Sequence, residues 1–168
     1  GWKNLKISGD VLGLAAGFVE NYLGEGLTAP VFAGASGDIN PWFVKVDTFM
    51  THNGWIPEPE LLAMVLGEEV IRTMKTVEPL KDDPEIKTAY TALQLPTQKE
   101  MRGQELLLDT YPLNITAASV GDVAFIGFGT EMMTEIGMAI KKASPFKYTF
   151  LLTHCNGASG YLAPEHAF

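Results

Sequence analysis

The chain is short of cysteine, short of basic residues and without a long apolar run, and each shortage closes off a class of function. One cysteine, Cys155, among 168 residues leaves no internal disulfide framework and no cysteine-rich zinc motif. It does not fix the compartment. Lysine and arginine number 12 against 20 Asp and Glu, a formal charge of −8, with no basic cluster longer than the pair Lys141-Lys142. Nucleic acid is therefore set aside as a partner, because phosphate binding needs a positive face. No apolar stretch approaches the roughly 18 residues of a membrane span, and the opening residues carry no signal-peptide pattern. What is abundant is turn chemistry. With 17 Gly and 10 Pro in a chain 46% hydrophobic and 19% charged, the composition describes a loop-rich globular protein rather than a disordered one. The length fits one domain or a piece of a larger one. The start GWKNLKISGD, with neither Met nor leader, reads as the middle of a longer chain.

Hydrophobic periodicity divides the chain. Val11, Leu14, Ala15, Phe18, Val19 and Tyr22 recur at helical spacing over 10–23, with Ser8 or Asp10 to cap the start and Gly24 to end it. TAPVFAG, 28–34, reads as a short buried strand. A second helix is predicted from about Glu60 to Val77, with Pro57 and Pro59 before it and Pro79 after it. IKTAYTALQLP alternates as a strand does, and TQKEMRGQE is a polar connection. LNITAASV and VAFIGFG, joined at Gly121-Asp122, predict a β-hairpin. A third helix is expected from about Glu131 to Ala143, and YTFLLTH then reads as a buried strand. Helices alternating with apolar strands, plus one hairpin, indicate an α/β fold with a mixed sheet flanked by helices.

Three of these strands run into polar, glycine-bearing loops: GASGDINPW after Ala33, GTEMM after Phe128 and HCNGASGY after Thr153. If the strands are parallel neighbours, the loops converge on one rim, the usual ligand site of such sheets. Asn40, Glu131, His154, Asn156 and Tyr161 are then the candidates. Each has a plainer reading. Asp38 and Asn40 can bond their own backbone as turn formers. Glu131 in the first turn of a helix would only complement the helix dipole, and Tyr161 could be a packed ring with a bonded hydroxyl. The adjacent His154 and Cys155 invite a metal, but neighbours on a strand point to opposite faces, and Cys155 fits a small core residue. His52 and His166 read as exposed loop residues. Asn114 heads a glycosylation sequon, NIT, inside a predicted strand, a match frequent by chance.

Taken in order, ISGDVLGLAAGFVE, GASGDINP, VGDVAFIGFGTEMMTEIGMAIKKASPF and YTFLLTHCNGASGYLAPEHAF resemble blocks of the neutral/alkaline (non-lysosomal) ceramidase family, in its catalytic domain. The middle of the chain, 45–110, matches only in outline. The resemblance implies that residues 1–168 are the C-terminal portion of a larger layered catalytic domain, incomplete at both ends. It implies a zinc amidohydrolase that splits the N-acyl bond of ceramide or a related N-acyl lipid, with a secreted or extracytoplasmic location. The family's zinc is held by two histidines, a glutamate and a tyrosine; the last two fall on Glu131 and Tyr161. Zinc suits the task, since it polarises an amide carbonyl and acidifies water, and an anionic glutamate offsets its charge.

The chain departs from the family pattern in four places. Asn40 stands where the family's loop carries a nucleophilic Ser, and an amide cannot attack a carbonyl. FGTE replaces the family's Pro-Gly-Glu turn, and Ala158 replaces the first tyrosine of the late loop. The family's histidine ligands would lie upstream of Gly1, so the remaining part of the catalytic domain is an expected partner. A non-catalytic lipid-binding or scaffold domain of the same fold is the alternative. A phosphate-binding α/β protein is not, because no glycine-rich loop matches its fingerprints.

Overall fold

A computed structural model describes residues 7–24, 26–40, 59–78, 83–97 and 109–167. His52, Pro41, Trp42 and most of TQKEMRGQE lie outside the described residues. The chain divides into two compact units. The first holds α1 (Asp10–Leu23) and α2 (Pro59–Met74), which pack on each other. Their buried positions, Ala15 and Val19 on one and Ala63, Gly67 and Ile71 on the other, recur every four residues and are mostly small. Gly67 is required there: a Cβ would stand 2.5 Å from the Phe18 ring. Pro59 is the first residue of α2 rather than its preface, a position where the missing N–H has no partner to lose.

The second unit holds the sheet. β1 (Ile86–Pro96), β2 (Thr110–Val120), β3 (Val123–Phe128) and β5 (Tyr148–Leu152) lie in the order β1-β2-β3-β5. The first three are antiparallel, and β3 and β5 are parallel. The sheet is therefore mixed and the class α/β, as the alternation of elements predicts. Val120 faces Val123 across the Gly121-Asp122 turn. Gly121 has φ 55°, which fits a two-residue turn that needs positive φ at its first central residue. Between β3 and β5 the chain crosses through α3 (Thr134–Ala143), since parallel neighbours cannot be joined by a tight turn. A short ladder, β4 (Glu131–Met132) with β6 (Tyr161–Leu162), stands apart from the sheet, and a 3₁₀ turn spans Glu165–Ala167. Leu113, Phe128, Met132 and Leu151 form the core, with Ile115, Ile126, Ile136 and Ile140 packed against it.

Three expectations need correcting. Residues 28–34 form no strand. Pro30 has no N–H to give a ladder, and Val31 and Phe32 are exposed. Thr153, just past β5, donates hydrogen bonds to this segment, from its N–H to Ala33 O at 2.9 Å and from its Oγ1 to Gly34 O at 3.1 Å. The third helix begins at Thr134, three residues later than read, because Glu131 and Met132 pair as β4 instead. β5 is only partly buried, with Leu151 alone enclosed.

Candidate functional site

β3 and β5 run side by side in the same direction, so their C-terminal ends share one edge of the sheet. The chain leaving β3 passes Gly129 and Thr130 and enters β4; the chain leaving β5 returns through 153–160 into β6. There Glu131 and Tyr161 are register partners in a parallel pair. The Glu131 N–H donates to Gly160 O at 2.8 Å and the Met133 N–H to Leu162 O at 3.0 Å. Register partners share a face of a ladder, so the two candidate oxygen donors stand on neighbouring strands. Glu131 is therefore not a first-turn carboxylate, and the helix-dipole reading of it falls. The Glu131 side chain is 28% exposed, and Tyr161 is 61% exposed, within reach of a ligand from solvent.

The 34–40 loop lies beside this ladder. The Gly37 N–H donates to Met132 O at 2.9 Å, and a Cβ on Gly37 would sit 3.1 Å from that oxygen. The Asp38 carboxylate accepts from the Thr134 N–H at 2.8 Å and from Thr134 Oγ1 at 2.7 Å. It thus caps α3 from 96 residues away in sequence, satisfying a donor that the helix itself leaves open. Asp38 was legible as a turn former; its work across the fold was not. Asn40 is exposed at the end of the described part of this loop. The loop lies beside the ladder, but no strand leads into it.

The 153–160 loop separates the His154-Cys155 pair. His154 adopts φ 55° and places Nε2 3.8 Å from Glu131 Oε2, with its side chain 55% exposed. Cys155 turns to the sheet, where its Sγ occupies the space a side chain at Gly127 would fill. The two do not share a ligand site. His166, by contrast, is exposed, with Nε2 3.3 Å from Glu135 Oε2. No group of three His, Cys, Asp or Glu side chains able to hold a metal occurs among the described residues. Glu131 and Tyr161, the two donors that the resemblance assigns to the metal, are fewer than the three protein groups a catalytic zinc takes.

Sequence reasoning singled out Asn114 and Asn156 but missed that they bond each other's strand and loop. Asn114 Nδ2 donates to Asn156 O at 2.9 Å, and Asn156 Nδ2 donates to Thr116 Oγ1 at 2.9 Å. The amide nitrogen of the sequon is thus engaged in the fold. Spacing carries no signal for these contacts, because 42 residues separate the two asparagines.

No family model matches the chain, and no curated protein matches it. The crystal structure of neutral ceramidase from Pseudomonas aeruginosa does match, with a TM-score of 0.63 over 95% of this chain at 14% identity. The chain spans 36% of the length of that protein. At that identity the likeness is one of fold: this chain is built like part of a neutral ceramidase.

Proposed function

We propose that the chain is part of a zinc-dependent hydrolase that cleaves the N-acyl bond of ceramide or a related N-acyl lipid. The observation that carries this reading is the pairing of Glu131 with Tyr161 at the rim where β3 and β5 end. Those are the two positions that the ceramidase resemblance assigns to the metal, and the likeness of fold supports the comparison. Glu131 would bring the negative charge and Tyr161 a phenol oxygen, while the other ligands would come from the remaining part of the catalytic domain. Zinc, when bound, supplies polarisation of the amide carbonyl and acidification of water. Asn40, on the exposed 34–40 loop, would orient the substrate or donate a hydrogen bond to its carbonyl oxygen. It would not be a nucleophile.

The test is metal content and turnover of the full-length protein that carries this chain. About one zinc per chain and release of fatty acid from an N-acyl sphingoid lipid are expected. Glu131→Gln and Tyr161→Phe should each lower zinc affinity by at least about tenfold, as loss of a ligand does. A metal-free, inactive full-length protein that still binds N-acyl lipid vesicles would favour the second reading. That reading, a non-catalytic lipid-binding or scaffold domain, is supported by Asn40 standing where the family has its Ser.

A further inference from the structure

The loop from Thr153 to Gly160 delivers Tyr161 to its place beside Glu131, yet it belongs to neither ladder. His154 and Asn156 sit at φ 55° and 57°, the left-handed region that Asn and His enter more readily than most residues with a side chain. Backbone bonds from the His154 N–H to Thr130 O at 3.0 Å, the Cys155 N–H to Phe128 O at 2.9 Å and the Ser159 N–H to Gly129 O at 2.8 Å tie the loop to the end of β3, and β2 adds a second hold through side chains. Half-buried Asn114 donates from Nδ2 to Asn156 O at 2.9 Å, while its Oδ1 accepts from the Tyr90 hydroxyl at 2.9 Å. Using both ends of the amide fixes the way it faces. Asn156 answers by donating to Thr116 Oγ1, and Ser159 Oγ donates to Pro112 O at 3.0 Å. Pro112, Asn114 and Thr116 are alternate residues of one strand, so the loop is stitched along a single line of β2. At its middle the loop touches the end of β3 backbone to backbone: a Cβ on Gly157 would stand 3.1 Å from Gly129 Cα.

We propose that Asn114 is a positioning residue: by clamping Asn156 it sets the seat of the 153–160 loop and so the place of Tyr161 against Glu131. Its consequence for turnover rests on the function proposed above; the clamp itself does not. In the full-length protein, Asn114→Asp keeps the side-chain size but turns the donor toward Asn156 O into an acceptor. Labelling of Cys155 by a thiol reagent, mapped by mass spectrometry, should accelerate by about tenfold or more, as a locally opened segment does. Amide exchange should quicken across 154–160 and stay unchanged in β3 and β5. On an N-acyl lipid, kcat should fall roughly 10–100-fold, the scale of a small misplacement, while KM moves by less than about threefold. Thr116→Val removes the acceptor at the other end of the clamp without changing shape, and it decides the matter should Asn114→Asp not fold.

Unchanged labelling and exchange in both variants would overturn the clamp. So would loosening that spreads equally through β3 and β5, which marks a residue of general stability. A loosened loop with kcat intact would overturn the positioning role. A wild-type protein that cleaves no N-acyl lipid sinks the proposed function instead, and the labelling and exchange results still decide the clamp.

Discussion

At the scale of single residues, one side chain does several things that its neighbours in sequence do not advertise. Asp38 sits in a stretch of turn chemistry, and its composition suggests a local bond. Its carboxylate instead receives both the N–H and the hydroxyl of Thr134, tying the 34–40 loop to the start of α3. Asp38→Ala should destabilise the protein by about 1 kcal/mol, the usual value of a lost N-terminal cap. Asp38→Asn, which keeps an acceptor oxygen, should lose only a few tenths of that order. Thermal unfolding of the two variants side by side checks the ranking; equal losses would mean that the negative charge, rather than the hydrogen bonds, is what α3 uses. Asp38 was visible in the sequence as a special residue. Its partner was not, because a cap supplied from a distant loop leaves no spacing to read.

At the scale of elements, the strongest periodic segments emerged as expected and the boundaries near the rim did not. α1 follows its helical apolar pattern from Asp10 to Leu23, and the β2-β3 hairpin closes at Gly121-Asp122 as its turn residues dictate. The start of α3 moved because Glu131 and Met132 bond to β6, a partner nearly thirty residues ahead that local propensity cannot weigh. Gly137 shows the same dependence inside a helix. It is buried, and a Cβ there would stand 2.6 Å from Ala35 Cβ and 3.3 Å from Leu151 Cδ1. Alanine in a helix interior normally gains up to about 1 kcal/mol over glycine, whereas overpacking a tight contact costs about 1–3 kcal/mol. Gly137→Ala should therefore be destabilising on balance. Calorimetry would detect it as a lowered Tm, and a raised Tm would show that the 34–40 loop yields freely.

At the scale of the whole molecule, the candidate site is the rim where β3 and β5 end. Glu131 and Tyr161 stand on neighbouring strands, and the described residues contain no cluster of three His, Cys, Asp or Glu around a common point. The chain on its own should then neither bind zinc tightly nor hydrolyse ceramide, since catalytic zinc takes three protein ligands and an open position. Isothermal titration of this chain beside the full-length protein checks this. Tight stoichiometric binding by the short chain that vanishes in His154→Ala would make His154, 3.8 Å from Glu131, a ligand, and would overturn the expectation that the histidine ligands lie outside the chain.

The sequence by itself determined the α/β class, the two long helices and the hairpin, because these follow from periodicity and turn residues, which are local quantities. It also marked the three polar loops, since glycine and asparagine after apolar runs are legible one loop at a time. Only the tertiary structure decided that β3 and β5 are parallel neighbours, that 28–34 is no strand, and that Glu131 meets Tyr161 rather than opening a helix. It alone parted His154 from Cys155 and joined Asn114 to Asn156. The physical reason is shared by nearly all of these. Apart from the 28–34 segment, where Pro30 has no N–H to pair, each is settled by a hydrogen bond or a close contact between residues tens of positions apart, and such a partner is chosen by the packing of the sheet.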